Sequence, residues 1–169
     1  CGVTSVTVNA AERLAAAGKR AAVVDLNLEM GDVSIFLNTK AKYTLADLAI
    51  NTAKVDAAYI SSTAVRHSSG LDIISAPHAI EEADQVTAAR LKVVFRHLRD
   101  LYDFTIIDTP SVFNETTIEA LDHSDGVLLV SMLNIPNVRN AKRIKEAFDR
   151  LGYPKDKVHL IFNRFQKNS

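Results

Sequence analysis

Two carboxylates stand directly after short apolar runs, at positions where chemistry is common in parallel sheets. Asp25 closes the run RAAVVD, and Asp108 closes the run FTIID. Ligands bind outside the carboxyl ends of such strands, and magnesium-phosphate enzymes place a metal-water ligand there. For Asp25 alone, capping a loop is an equally good interpretation. The Asp108 pattern is more informative, because four mostly apolar positions precede the carboxylate.

The opening residues, CGVTS, precede a segment with the apolar spacing of a helix. Gly2 would let the backbone approach a ligand, and the N–H groups of Val3, Thr4 and Ser5 would point toward an anion at the helix N-terminus. Taken alone, these residues favour a simpler interpretation, a glycine turn followed by a Thr or Ser N-cap.

A polar pair, Asn163 and Arg164, follows the last apolar run, VHLIF. For Asn163 alone, a turn after a strand is the favoured interpretation. The order along the chain is more specific, since a phosphate-type turn comes first, two acidic strand ends follow, and this pair comes last. This order strengthens the functional interpretation of each of the four features.

The elements that must position these residues alternate between helix and strand. Five apolar runs are typical of strands buried on both faces of a parallel sheet, at residues 20–25, 71–76, 104–108, 126–132 and 158–162. Helical patterns cover residues 4–17, 88–101, 115–121 and 138–151. The order predicts an α/β fold, a mostly parallel sheet with helices on both faces and right-handed crossovers. Residues 38–70 are less regular, with short helical pieces at 45–49 and 55–61.

Length and composition restrict the class of protein. The 169 residues predict one domain spanning 1–169, and 47% apolar with 24% charged residues is typical of a globular protein. Twenty basic and twenty acidic residues give a net charge of zero, which disfavours a strongly basic nucleic-acid module. The single cysteine excludes a disulfide framework within the chain. No apolar run reaches the ~18–20 residues of a membrane span.

Five stretches carry a resemblance to a known family, and together they cover almost the whole chain: VVDLNLEMGDVSIFL, TLADLA, SSGLDIISAP, LYDFTIIDTPSVFNETTIEALDHSD and NIPNVRNAKRIKEAFDRLGYPKDKVHLIFNR. They resemble the MinD/ParA group of deviant P-loop ATPases. Within that group, the chain looks most like the TadZ/CpaE proteins, which position Flp-type (Tad) pilus machinery. The resemblance implies a P-loop NTPase-like fold of MinD/ParA type, with ATP and Mg²⁺ as cofactors.

The resemblance also assigns roles in the phosphate loop. The family motif is Lys-Gly-Gly-x-Gly-Lys-Thr-Thr, followed after three residues by Asn, which here is Asn9. On that anchor Gly2 is the last glycine, Thr4 carries the magnesium-binding hydroxyl and Ser5 carries the second hydroxyl. The first strand and the start of the loop would precede the chain, which is therefore expected to be a piece truncated at its N-terminus.

The two acidic strand ends acquire roles in the same way. The resemblance implies that Asp25 and Asp108 hold magnesium, partly through water, together with the Thr4 hydroxyl. It places Asp32 in a first switch segment and opens a second switch with Thr109 and Pro110.

The adenine end of the site is implied by the last motif. Asn163 matches the residue that contacts adenine in relatives, and Arg164 would stack or pack beside it.

Two residues depart from the family pattern. Val3 stands where the loop lysine is expected, and it can offer a backbone N–H but no charge. Losing one charge-assisted contact costs roughly 1.5–3 kcal/mol, or about one to two decades in affinity. Asn27 stands where relatives usually carry Asp, and an amide can hold the attacking water but cannot take its proton. No catalytic residue is therefore assigned.

The other candidates are weaker. The basic residues Arg139, Lys142, Arg143 and Lys145 share a helical pattern with acidic neighbours, which favours a solvated mixed-charge face. The five histidines show no metal-ligand spacing.

The sequence thus predicts an ATP-binding switch protein of the TadZ/CpaE type, with weak or no hydrolysis. ATP would favour a homodimer that localises Flp/Tad pilus and secretion assembly proteins in the cytoplasm, at a cell pole or at the inner face of the membrane. DNA is disfavoured as a partner, and membrane association would be indirect. One alternative is an active ParA/MinD-type ATPase that cycles on DNA or membrane. The other is an interaction scaffold that binds no nucleotide.

Overall fold

A computed structural model describes residues 2–164 of the chain. These residues divide into two compact units, one spanning residues 4–123 and the other residues 124–164 together with residues 2 and 3. Each unit contains its own hydrogen-bonded sheet. The single domain expected from the sequence stays a prediction.

The larger unit contains a four-stranded sheet in the order β2-β3-β1-β4. Strands β3, β1 and β4 are parallel, and the two-residue β2 is antiparallel to β3. The elements in chain order are α1 (Val3–Ala16), β1 (Ala21–Asp25), α2 (Val33–Phe36), α3 (Leu45–Ile50), α4 (Ala57–Thr63), β2 (Val65–Arg66), β3 (Asp72–Ile74), α5 (Ala88–Leu101), β4 (Phe104–Asp108) and α6 (Glu115–His123). Short 3₁₀ turns lie at Thr52–Lys54 and Ile80–Gln85.

Strand β1 lies at the centre of this unit, and all five of its residues are buried. Ala22 and Val24 pack into one apolar cluster with residues of α3, α4 and α5. Ala21 and Val23 pack on the opposite face, with residues of α1. The first four residues of β1 are covered on both faces and are all apolar, which explains why the sequence of the strand does not alternate.

The strand register brings the two predicted carboxylates side by side. Asp25 pairs with Asp108 in the parallel β1–β4 ladder. The ladder continues one residue further, since the N–H of Leu26 donates to the carbonyl of Asp108 at 2.8 Å. Neighbouring strands lie about 4.8 Å apart, so the two carboxyl groups leave the sheet together at one edge.

The smaller unit contains β5 (Val127–Ser131), α7 (Ile135–Arg150) and β6 (Val158–Phe162), and its two strands are parallel. Asn134 caps α7, because its side-chain oxygen accepts the N–H of Asn137 at 3.0 Å. The four basic side chains singled out above are exposed on this helix. Lys142 lies 4.0 Å from Glu146, in keeping with a solvated mixed-charge face.

The α/β fold class and the mostly parallel pairing are confirmed. Helix α7 begins three residues earlier than its apolar pattern suggests, because Asn134 provides the cap. The sequence did not indicate β2 or α2, which are only two and four residues long. Within residues 2–164, no helix combines the length and the apolar character needed to cross a bilayer.

Candidate functional site

Asp108 is the centre of the candidate site, and both of its carboxylate oxygens accept side-chain hydroxyls. Thr4 Oγ1 donates to Oδ2 at 2.7 Å, and Thr7 Oγ1 donates to Oδ1 at 3.0 Å. The two threonines lie three residues apart on α1, so they share one helix face. Because a carboxylate can only accept, the Thr4 hydroxyl must donate, and its oxygen lone pairs remain available to a metal.

Asp25 organises the loop that follows β1. Its Oδ1 accepts the N–H of Asn27 and its Oδ2 accepts the N–H of Val33, both at 3.1 Å. The carboxyl group thereby joins the two ends of this loop. Each oxygen has a second lone pair, so a metal-bound water could still donate to Asp25.

Burial disfavours the charged form of both carboxylates. Asp25 is 1% exposed and Asp108 is 2% exposed. Burial raises the pKa of Asp25 to about 6, although the N–H groups of Val33 and Asn27 act in the opposite direction. Burial also raises the pKa of Asp108, against the lowering effect of the Thr4 and Thr7 hydroxyls. A divalent cation would favour the ionised form of both groups.

We expect the metal-free protein to lose stability as the pH rises from about 4 to 6. An unfolded Asp has a pKa of about 3.9, so in this window the folded state binds more protons than the unfolded state. The free energy of unfolding should fall by up to about 3 kcal/mol and then level off. Urea unfolding in EDTA at several pH values measures this slope. Asp25→Asn should remove most of the dependence of the free energy of unfolding on pH in this window. An unchanged slope in that variant would show that Asp25 is not its source.

The Asn27 side chain closes the loop after β1. Its Nδ2 donates to the carbonyl of Met30 at 2.9 Å. An ionised Asp could not make this bond, because it has no proton to donate. The departure from the family pattern is therefore built into the local structure of the loop.

The predicted switch residues lie directly after these strands. Asp32 is exposed and precedes α2, and its charge raises the pKa of both Asp25 and Asp108. Thr109 and Pro110 are half-buried at the end of β4. Their role as switches stays a prediction.

A cavity of about 440 Å³ lies at the ends of β1 and β3. Its walls include Asp25, Gly31 and Lys40. Ser34 and Ser75 also line the cavity. Their hydroxyls are hydrogen-bonded to each other at 2.6 Å, which joins α2 to the residue after β3. No residue of α1 or β4 lines this cavity, so it is distinct from the contact between Thr4 and Asp108.

The remaining predicted ligand residues are placed at both ends of the chain. Gly2 has φ +82°, a backbone conformation that favours glycine, and α1 begins at the next residue. The Ser5 carbonyl accepts the side chain of Asn9 at 2.7 Å. Asn163 follows β6 in the smaller unit, where its Oδ1 accepts the N–H of Arg164 at 2.9 Å. Their joint action on one nucleotide stays a prediction.

Sequence reasoning missed two residues of the site. In the sequence, Thr7 has nothing that distinguishes it from other residues of a helix, because its partner Asp108 lies 101 residues away. Gly31 has no role in the motifs considered above. Its glycine character is the available signal, since a Cβ there would lie 2.4 Å from that of Ala76 and 2.7 Å from Oδ2 of Asp25.

The residues present fit a magnesium ion. Hydroxyl and carboxylate oxygens are the donors that Mg²⁺ prefers, and the ion commonly uses one or two protein groups while waters and phosphates complete the shell. Thr4 and Asp108 supply this set in direct contact. Among residues 2–164, no group of three or more His, Cys, Asp or Glu side chains could hold a metal by itself.

Comparison with known proteins defines the class. A family model described as an AAA domain matches residues 1–151, so the chain belongs to this AAA domain family. The relatives and structural neighbours of the chain include MinD proteins and a ParA family ATPase, and these similarities support the MinD/ParA superfamily of P-loop ATPases.

Two relatives illustrate this similarity. The chain is 28% identical over 170 residues to an uncharacterized ATP-binding protein of Methanocaldococcus jannaschii, covering 99% of the chain and 61% of that protein. It is 23% identical over 167 residues to the septum site-determining protein MinD of Thermotoga maritima, covering 98% of the chain and 60% of that protein. The chain thus spans about 60% of the length of these relatives.

Solved structures show the same fold at lower identity. A ParA family ATPase from Chlorobium tepidum superposes with a TM-score of 0.88 at 20% identity, over 99% of the chain and 71% of that structure. MinD from Pyrococcus horikoshii, complexed with Mg-ADP, superposes with a TM-score of 0.81 at 20% identity, over 99% of the chain and 67% of that structure.

Proposed function

We propose that this chain is the nucleotide-binding part of a switch protein that binds ATP with Mg²⁺ and hydrolyses it slowly or not at all. The observation that carries the proposal is the direct contact between the Thr4 hydroxyl and Asp108. It joins the end of a parallel strand to the first turn of a helix, which is where phosphate and metal meet in P-loop proteins. MinD from Pyrococcus horikoshii, which has the same fold, was solved with Mg-ADP.

Each residue would contribute a separate part of binding. The N–H groups of Val3, Thr4 and Ser5 would donate to phosphate oxygens at the N-terminus of α1. Thr4 Oγ1 would coordinate Mg²⁺, and Asp108 and Asp25 would accept hydrogen bonds from metal-bound waters. Mg²⁺ supplies charge neutralisation for the phosphates when it is bound. Asn163 and Arg164 would contact the base.

Slow hydrolysis is expected because the side chain of Asn27 is an amide. A general base must accept a proton from the attacking water, and an amide cannot do so. The Asn27 amide also donates to the Met30 carbonyl, which holds the side chain in the loop. Binding without rapid turnover is the behaviour of a switch, in which the nucleotide stabilises one of two states.

The two states proposed are a monomer and a homodimer that ATP favours. The TadZ/CpaE resemblance supports a role in localising Flp/Tad pilus assembly proteins. Among structural neighbours, MinD of Aquifex aeolicus was solved in a MinC:MinD complex, so partner binding is compatible with this fold. The stretch VRNAKR on α7 and the segment DTPSVFNE, from the end of β4 to the start of α6, carry the resemblance to the pilus-associated branch.

The test is calorimetric titration of the full-length protein with ATP and Mg²⁺. We expect saturable binding that weakens strongly in EDTA. Val3→Lys should raise the affinity by about ten- to hundredfold, because it adds the missing charge-assisted contact. Phosphate release should stay slow in this variant, since Asn27 is unchanged.

Two outcomes would overturn the proposal. Rapid magnesium-dependent phosphate release by the wild type would favour the active ATPase that cycles on DNA or membrane. A salt-dependent DNA-binding assay would then identify a DNA partner. Absence of ATP binding in both wild type and Val3→Lys would favour the nucleotide-free scaffold.

A further inference from the structure

The hydroxyl of Thr7 donates a hydrogen bond to a carboxylate distant in the sequence, which is unusual for a threonine within a helix. Such hydroxyls commonly bond a carbonyl of the preceding turn. Thr63 does this in α4, where its Oγ1 donates to the carbonyl of Tyr59 at 2.9 Å. Thr7 instead donates to Oδ1 of Asp108 at 3.0 Å, and the contact is buried.

This contact fixes the rotation of the Asp108 carboxyl group. The terminal torsion of an aspartate is broad, so a single hydrogen bond to Oδ2 would leave the group free to turn. The hydroxyls of Thr4 and Thr7 hold both oxygens from one side. Thr7 is β-branched and only 7% exposed, which restricts its own torsion and leaves little access for a substituting water.

We propose that Thr7 is a positioning residue for Mg²⁺, because it fixes the carboxyl group of Asp108, which in turn holds the Thr4 hydroxyl that would coordinate the ion. The inference rests on the proposed function. Positioning of the metal is especially important in this chain, because Val3 supplies no ammonium group to the phosphates. The metal must then provide a larger share of the affinity for ATP. Preorganisation of the groups that would hold the metal therefore has a larger effect on binding.

The experiment measures the Mg²⁺ enhancement, which is the ratio of ATP affinity with MgCl₂ to ATP affinity in EDTA, for the full-length protein. Thr7→Val removes the hydroxyl with little change in shape. It should reduce the enhancement by about tenfold while leaving the affinity in EDTA within about twofold. Thr7→Ser should restore most of the enhancement, because it restores the donor. Thr63→Val, a buried helical threonine remote from the site, is the matched control and should leave the enhancement unchanged.

A second readout uses metal without nucleotide. Titration with Mn²⁺, followed by electron paramagnetic resonance, should show weaker metal binding in Thr7→Val than in wild type. Circular dichroism checks the fold, and Thr7→Ala provides the same comparison if the valine variant is unfolded. The positioning role would be overturned if wild type and Thr7→Val showed the same Mg²⁺ enhancement. It would also be overturned if Thr7→Val lost ATP affinity equally with and without Mg²⁺.

The two proposals fail in different ways. If the wild type binds Mn²⁺ and Thr7→Val weakens it, but neither protein binds ATP, the proposed function is wrong and the role of Thr7 stands. If the wild type binds neither Mn²⁺ nor ATP, both are wrong.

Discussion

Replacing Asp108 with asparagine is expected to remove most of the Mg²⁺ enhancement of ATP binding, with a loss of about ten- to hundredfold in affinity. The metal-free protein should keep its stability at pH 7.5 to within about 1 kcal/mol. An asparagine can accept one threonine hydroxyl and donate to the other, so the contacts with Thr4 and Thr7 survive. The charge is lost, and burial already makes that charge unfavourable without metal.

A matched control exists at the opposite end of the sheet. Asp72, at the start of β3, accepts the hydroxyl of Tyr102 and the guanidinium of Arg66, each at 2.9 Å. Asp72→Asn also removes a charge from a carboxyl group with two side-chain donors, but it lies away from the candidate site. Its ATP affinity should equal that of the wild type. Equal affinities in Asp108→Asn and wild type would show that Asp108 does not support the metal.

The second large effect is expected for Gly31→Ala. The added Cβ would lie 2.4 Å from Ala76 Cβ and 2.7 Å from Oδ2 of Asp25, much closer than ordinary van der Waals contact. The loop must shift away from β3, which weakens the bond from Val33 to the carboxyl group of Asp25. We expect a loss of about 1–3 kcal/mol in the free energy of unfolding, typical of overpacking, and a lower Tm.

The control for this substitution is Gly126→Ala, directly before β5. A Cβ at Gly126 would meet only the carbonyl of Lys157, at 3.9 Å, which is an ordinary contact. Its unfolding free energy should change by less than about 0.5 kcal/mol. Chemical unfolding of the two variants beside the wild type gives the comparison, and equal losses at both positions would contradict tight packing at Gly31.

The sequence was most informative where an element carries a continuous apolar run or a long apolar stripe. Strands β4 and β6 occupy the predicted residues 104–108 and 158–162, and α5 occupies the predicted 88–101. The reason is physical, since a helix with one apolar stripe, or a strand formed by a short apolar run, carries its pattern along its whole length. The expectation that β4 and β6 are buried on both faces is wrong for the described residues, because both strands are only partly buried. Helix α2 has four residues and β2 has two, so neither is long enough to show a period.

Side-chain contacts within the site were less accessible to sequence reasoning. The sequence correctly indicated that Asp25 and Asp108 lie at the carboxyl ends of parallel strands, and the register of β1 with β4 places them side by side. The use of the Asp25 oxygens by Asn27 and Val33 depends on the loop conformation, for which no periodic pattern exists. The contact between Thr7 and Asp108 depends on how one helix rotates against a strand a hundred positions away.

The bonds from one carboxyl group to both ends of the loop after β1 have a consequence for its motion. Asp25 holds the N–H of Asn27 with one oxygen and the N–H of Val33 with the other. A rotation of that single side chain breaks both attachments at once, so the segment between them opens as a unit rather than fraying from either end. The loop should therefore exchange between two discrete arrangements, and amide hydrogens at its two ends should share one opening rate.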